Sequence, residues 1–220
     1  MPETLVVATG NAHKRSEIAA MLAPHRVEVV TTRELGLADA EETGDTFAAN
    51  ALLKAIGGWR GTRRPCLADD SGLIVDALGG LPGVRSARFA GEGATDAENN
   101  ALLIARLAGV PAAARTARFV STLALVLPPE LAANAPLGPW ERQPLDSEGA
   151  VAFTVSGQVE GRIIDEPRGA AGFGYDPHFL YEPAGRTFAE LAAAEKHAVS
   201  HRGQAMARLS ELLRATFGAE

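Results

Sequence analysis

Leu5-Val6-Val7-Ala8-Thr9-Gly10-Asn11-Ala12-His13-Lys14 passes from four apolar residues into a Gly-Asn turn. The segment that follows, Lys14 to Leu22, places Ile18, Met21 and Leu22 at helical spacing, so the stretch reads as strand, tight turn, helix. Val27 to Val30 supplies a second short strand. Beyond the polar run Glu41-Glu42-Thr43-Gly44-Asp45-Thr46, a helix is predicted from about Phe47 to Ile56, stopped by Gly57-Gly58. Cys66-Leu67-Ala68 is another short strand that ends in Asp69-Asp70-Ser71-Gly72, after which Leu73-Ile74-Val75 resumes one.

Ala94-Thr95-Asp96 marks a helix start, and Leu102, Leu103, Ala105, Arg106 and Leu107 carry an amphipathic helix to Gly109. Phe119 to Leu127 is apolar on both faces, as a central strand requires. Val151, Phe153, Val155 and Val159 alternate with Thr154, Ser156, Gln158 and Glu160, the pattern of a half-exposed strand. The 22 residues Pro128 to Gly149, with five prolines, read as a long hairpin loop between these strands. A last helix after Ser200 buries Met206, Leu209, Leu212 and Leu213 on one side. The fold class expected is α/β with a mixed sheet, and residues 1–220 are taken as one domain without an internal repeat.

The 220 residues suffice for one substantial core or for two lobes that share a sheet. A composition of 46% apolar and 22% charged residues is that of a soluble globular protein. A net charge of -6 argues against binding nucleic acid through a general basic face, which rests on neutralising many phosphates at once. One cysteine, Cys66, can form no internal disulfide. Leu5 to Ala8 is too short for a signal peptide and no run reaches membrane-spanning length, so a cytoplasmic protein with no membrane partner is expected.

Three of the 21 basic residues are lysine, at positions 14, 54 and 196, and each lies in or beside a polar stretch bearing glycine or acid. Lysine is a compact charge on a flexible stem, suited to following a polyphosphate. The Thr9 to Lys14 turn opens a helix, so its N–H groups and the helix dipole converge where an anion can bind, although the Walker pattern is absent. In Asp69-Asp70 successive strand residues face opposite ways, so one carboxylate can enter a given cleft while the other serves the structure. Magnesium takes one or two carboxylates plus phosphate oxygens, and Glu41-Glu42 could add a second carboxylate. Gly169 to Pro177 sets two aromatics among three glycines, which lets backbone approach a flat ligand. His197 and His201 are four apart and would share a helix face, which invites a zinc reading, but no third ligand or HExxH pattern accompanies them.

Thr9-Gly10-Asn11-x-x-Lys14, Glu41-Glu42-Thr43-Gly44, Asn50 to Lys54, Leu67 to Leu73, Gly172-Phe173-Gly174-Tyr175-Asp176-Pro177 and Ser200-His201-Arg202-Gly203 together closely resemble the inosine/xanthosine triphosphate pyrophosphatase family. The resemblance runs over nearly the whole chain. It implies a homodimer of elongated two-lobed α/β subunits, with helices flanking a central mixed sheet and a cleft between the lobes. It also implies magnesium-dependent hydrolysis of ITP, dITP and XTP to the monophosphate and pyrophosphate. Carried over residue by residue, Thr9, Gly10, Asn11, Ala12, His13, Lys14 and Lys54 hold the triphosphate. Asp70 accepts the proton of the attacking water and binds magnesium with Glu41, and Ser71 contacts substrate. Phe173, Gly174, Tyr175, Asp176, Lys196, His201 and Arg202 enclose and read the base. A purine-nucleotide-binding module without catalysis is the alternative reading.

Overall fold

The computed structural model describes residues 3–38 and 40–218. The opening follows the expected pattern, with β1 (Glu3–Ala8), α1 (Ala12–Leu22) and β2 (Val27–Thr31). α2 (Phe47–Thr62) leads into β3 (Cys66–Val75), and α3 (Asp96–Arg106) precedes β4 (Thr116–Leu127). A short α4 (Pro129–Ala132) and β5 (Glu141–Pro144) come before β6 (Val151–Ile163). β7 (Phe179–Tyr181), β8 (Arg186–Thr187), α5 (Ala193–Val199) and α6 (His201–Phe217) complete the chain. Among the described residues the strands form one sheet in the order β2-β1-β3-β4-β6-β7-β8, with β5 paired to β6. β1 runs parallel to β2 and β3, whereas β6 runs antiparallel to β5 and β7, so the sheet is mixed.

The chain gathers into two compact units. Unit 1 comprises the residues up to Asp70, Ser121–Gly157 and those from Arg202 onward; unit 2 comprises Ser71–Val120 and Gln158–His201.

In unit 1 the strand period of two sorts every core residue to one face. Leu5, Val7, Leu67, Leu123, Leu125, Leu127, Val151, Phe153 and Val155 pack with Ile18 and Leu22 of α1 and with Met206, Leu209, Leu212 and Leu213 of α6. The intervening Val6, Ala8, Cys66, Ala68, Ala124, Val126 and Ala152 pack with Ala51, Ala55 and Trp59 of α2. This second face is mostly alanine, so α2 can lie close against it. In unit 2, Leu73, Val75, Phe119, Val159, Ile163, Phe179 and Phe188 surround Leu103 and Leu107 of α3.

Three expectations change. Gly57-Gly58 does not end α2, which continues to Thr62, because the glycine provides close approach rather than a stop: a Cβ on Gly58 would lie 2.3 Å from Cys66 Sγ and 3.4 Å from Thr32 Cγ2. β3 is continuous through Asp69 to Gly72, since its polar residues are held by partners in the fold rather than by a turn. β6 is buried on both faces from Val151 to Val155 and alternates only from Ser156 onward. The proline-bearing stretch Pro128 to Gly149 holds α4 and β5, and β5 zips onto β6 with Pro144 opposite Val151.

Gly58→Ala is expected to lower stability by about 1–3 kcal/mol through overpacking, against the gain alanine normally brings to a helix interior. Urea denaturation of a Gly58→Ala/Cys66→Ala double variant should recover part of that loss, since removing the sulfur makes room. Additive losses would show that the clash lies elsewhere.

Candidate active site

The pleat of β3 turns Asp69 and Asp70 to opposite faces of the sheet. Asp69 follows the parity of Leu67 and meets α1 and α6; Asp70 follows that of Cys66 and Ala68 and meets α2. Asp69 is fully buried. It accepts from the Ser121 hydroxyl, from Arg202 Nη2 at 3.0 Å, and pairs with Lys14 Nζ at 3.2 Å. Arg202 Nη1 also donates to Glu17 on α1. Burial opposes the charge on Asp69, but the Arg202 guanidinium and the Lys14 ammonium outweigh it and hold the carboxyl far below the usual range.

On the other face, Lys54 Nζ donates to Asp70 Oδ1 at 2.7 Å and to Glu42 Oε1 at 2.9 Å. Asp70 Oδ2 is buried and has no hydrogen-bond partner among the described residues. Burial lifts the Asp70 carboxyl above its ordinary 3.8, with Lys54 pulling against it. Lys54 itself is raised, because Asp70 and Glu42 together overcome the effect of burial. Burial, aided by Lys54 and Arg202, draws the Lys14 ammonium below its ordinary 10.5 despite Asp69. The network thus sets three cations (Lys14, Lys54 and Arg202) against four carboxylates (Glu17, Glu42, Asp69 and Asp70). The surplus negative charge lies on the side of Asp70.

The Thr9 to Lys14 turn is partly closed to an anion. Asn11 caps α1, its side-chain oxygen accepting from the N–H groups of His13 at 2.9 Å and Lys14 at 3.0 Å. What this turn offers a phosphate is therefore chiefly the Lys14 side chain and the exposed backbone of Gly10 and Ala12. Glu41 is exposed, and the acidic residue that the fold brings to Lys54 is its neighbour Glu42. The loop before α2 is fixed by Asn50, whose Oδ1 accepts from Gly44 N at 2.7 Å.

In unit 2, Lys196 is buried, with its Nζ 2.6 Å from Asp176 Oδ2 and 4.8 Å from the centroid of the Phe173 ring. Asp176 Oδ2 also accepts from Phe173 N at 2.9 Å. Gly172 is left-handed (φ +77°), and a Cβ there would strike that same carboxylate at 2.1 Å. Tyr175 is turned into the core and donates its hydroxyl to Ser86 O at 2.7 Å, so its ring is a packing element of the unit. His201 stacks on Phe119 with 4.9 Å between ring centres. Ser71 is half-buried in β3. His197 and His201 lie on different helices, because the chain turns at the extended Ser200 between α5 and α6. The one-face reading that suggested zinc is thereby corrected, and among the described residues no group of three metal-capable side chains is present.

Sequence reading passed over Glu17, Ser121, Asp96 and Asn100. For Glu17 a signal existed, since it sits three residues after Lys14 and thus on its helix face. Ser121 has no such signal, because its role depends on β4 lying in the sheet at the register of Asp69.

A family model described as the Ham1 family matches residues 5–212. The chain belongs to the Ham1 family. It is 46% identical over 208 residues to a dITP/XTP pyrophosphatase of Geobacillus kaustophilus, covering 94% of this chain and 92% of that protein. A dITP/XTP pyrophosphatase of Yersinia pseudotuberculosis is 45% identical over 96% of this chain and 98% of its own. Among solved structures, a HAM1 protein from Coxiella burnetii superimposes with a TM-score of 0.79 at 38% identity, over 96% of this chain and 98% of that one.

Asp69→Asn is expected to cost about 3–5 kcal/mol, since it leaves buried cations without their shared carboxylate. Ser121→Ala should cost only about 1 kcal/mol, the worth of one neutral hydrogen bond. Because the Asp69 carboxyl is depressed in the fold, its stabilisation is fully present above the ordinary 3.8 and is lost as pH falls below that value. Chemical denaturation at neutral pH measures both variants. A loss for Asp69→Asn no larger than that for Ser121→Ala would leave the ion cluster without a special part in stability.

Proposed function

We propose that this chain is a nucleoside triphosphate pyrophosphatase that hydrolyses ITP, dITP and XTP to the monophosphate and pyrophosphate. The observation that carries the proposal is Asp70: a buried carboxylate with one oxygen on Lys54 and the other without a hydrogen-bond partner among the described residues, next to two lysines. A site that merely bound phosphates would need the lysines but not an acceptor of this kind. The names of the relatives in Geobacillus and Yersinia support the substrate class.

In the proposed reaction a water oxygen attacks the α-phosphorus and its proton passes to Asp70. The bond between the α-phosphorus and its bridging oxygen breaks, and the pyrophosphate leaves with its added charge met by Lys14 and Lys54. A carboxyl raised above its ordinary value takes that proton more readily than an ordinary one. Asp69 stays ionised between Arg202 and Lys14, and so keeps Lys14 placed without competing for the proton. Magnesium fits this donor set: Asp70 Oδ2 is a hard oxygen without a hydrogen-bond partner among the described residues, and Glu42, with Glu41 beside it in sequence, would supply a second carboxylate. Bound with the triphosphate, the ion would neutralise charge on the phosphate oxygens.

Base selection is assigned to unit 2. Lys196 is a cationic N–H donor that holds Asp176 and lies over the half-buried ring of Phe173. Hypoxanthine and xanthine present a 6-keto oxygen to such donors; adenine presents an amino group and leaves them unpaired. Arg202, expected at the base, has both Nη groups on carboxylates, and its proposed part is to keep Asp69 ionised. The proposed setting is a cytoplasmic homodimer.

Asp70→Asn should reduce turnover of ITP by about 100-fold or more while nucleotide binding persists. Hydrolysis at the parent rate would remove Asp70 as the proton acceptor, and orthophosphate as the first product would move the cleaved bond. Chelation of magnesium should abolish activity, and added magnesium should restore it. Lys14→Ala and Lys54→Ala should weaken binding of every triphosphate by about the same factor, whereas Lys196→Ala should narrow the gap between ITP and ATP. Equal losses on all bases for Lys196→Ala would take base reading away from unit 2.

A further inference from the structure

The loop Gly172–Asp176 is held on one side by a turn of α3 that no step of the hydrolysis uses. Asp96 and Asn100 stand four residues apart in that helix, which brings both side chains to one face. Asp96 Oδ2 accepts from Gly174 N at 2.6 Å, and Asn100 Nδ2 donates to Gly174 O at 2.8 Å. Both backbone polar groups of one glycine are thus gripped by side chains 78 and 74 positions away. The first bond is charge-assisted and the stronger of the two.

These contacts are not needed by the helix. Thr95 and Glu98 already form a reciprocal capping box, with Thr95 Oγ1 accepting from Glu98 N and Glu98 accepting from Thr95 N. Asp96, in the first turn, benefits from the helix dipole but caps nothing, so its carboxylate is available to the loop. Asn100 also donates to Asp96 O at 2.9 Å, and its buried Oδ1 accepts no hydrogen bond among the described residues. Its hydrogen bonding is therefore committed to two carbonyls, one of them that of Gly174.

On its other side the loop is tied by Asp176, which takes the Phe173 N–H and the Lys196 ammonium. Gly174 has φ +61°, and an added Cβ would meet nothing within 4 Å, so the gripped peptide borders open space. The two successive peptides that flank the Gly174 Cα are thus each held by one side chain of α3, beside open space and next in sequence to Phe173, whose ring lies under the Lys196 ammonium.

We propose that Asp96 and Asn100 are positioning residues for purine selection. By fixing the backbone on both sides of Gly174 they hold Phe173 and the Lys196–Asp176 pair in one arrangement, so that the hydrogen-bond sense met by the 6-position of the base does not change. The inference rests on the reading of this loop as the base-reading element. Discrimination by hydrogen-bond sense requires donors that do not rearrange; a loose loop could turn a carbonyl toward the amino group of adenine and accept it.

The test is steady-state kinetics with ITP and ATP on Asp96→Ala and Asn100→Asp, with inorganic tripolyphosphate as a competing inhibitor. Each variant should lower the ITP-to-ATP ratio of kcat/KM by about tenfold, the equivalent of one lost hydrogen bond, mainly through KM for ITP. Inhibition by tripolyphosphate should not change, since it carries no base. Asp96→Asn keeps a carbonyl acceptor for Gly174 N and should restore most of the ratio; it also serves if the alanine variant does not fold. An unchanged ratio in Asp96→Ala and Asn100→Asp overturns the proposal. So does a parallel loss of ITP, ATP and tripolyphosphate affinity, which marks general damage. If the parent protein does not distinguish ITP from ATP, the base-reading assignment falls and the clamp with it, whereas a selective parent with equally selective variants defeats the clamp alone.

Discussion

The pleat of one strand organises the chemistry of unit 1. Because consecutive residues of β3 face opposite ways, two adjacent aspartates of the same intrinsic acidity enter different surroundings. Asp69 faces two cations and a hydroxyl and is held ionised; Asp70 shares one lysine with Glu42 and keeps an oxygen without a hydrogen-bond partner among the described residues. A slip of β3 by a single residue would exchange the two environments. Register at Asp69 and Asp70 is thus the constraint on which the rest of the site depends, and the apolar residues Leu67 and Ala68 that precede them help to secure it by belonging to different cores.

Helix placement follows from the same alternation. The face that carries Asp69 is lined with leucine, valine and phenylalanine, and the bulky α1 and α6 cover it. The face that carries Asp70 is lined largely with alanine, and α2 lies close enough for Gly58 to touch Cys66. Close packing of α2 keeps the stem of Lys54 short of solvent, so its ammonium is delivered between Asp70 and Glu42 at hydrogen-bonding distance. Burial pushes the Cys66 thiol up to about 12, so this sulfur stays a neutral packing group and does not compete chemically with the carboxylates.

Unit 2 is built differently. Its loop Gly172–Asp176 has little regular structure and is held by individual hydrogen bonds from Asp96, Asn100, Lys196 and Tyr175. Such a loop can be rigid without belonging to a sheet, because its Gly174 N–H and carbonyl, its Tyr175 hydroxyl and its Asp176 carboxylate are each hydrogen-bonded to another part of the unit. The two units therefore achieve preorganisation by different means: strand register in the first, a set of side-chain ties in the second.

Much of this was legible in the sequence. The apolar runs and their periods marked β1, α1, β2, β4 and α6, since burial on one side imposes a period that composition cannot hide. The ordered motifs pointed to the family, which the match over residues 5–212 bears out. The Asp69-Asp70 dipeptide announced that its two members would differ, but not which would be buried among cations. That choice needed Arg202, Lys14 and Ser121, brought together from three distant parts of the chain by the packing of α1, α6 and β4. Gly57-Gly58 read locally as a helix stop, whereas contact with Cys66 made it a point of close approach. Tyr175 read as a ring available to a ligand and became a core residue once Ser86 lay within reach of its hydroxyl. Sequence determined which residue types and periods were present, because those are local properties of the chain. Only tertiary structure decided which charge meets which, because electrostatic environment depends on neighbours in space rather than along the backbone.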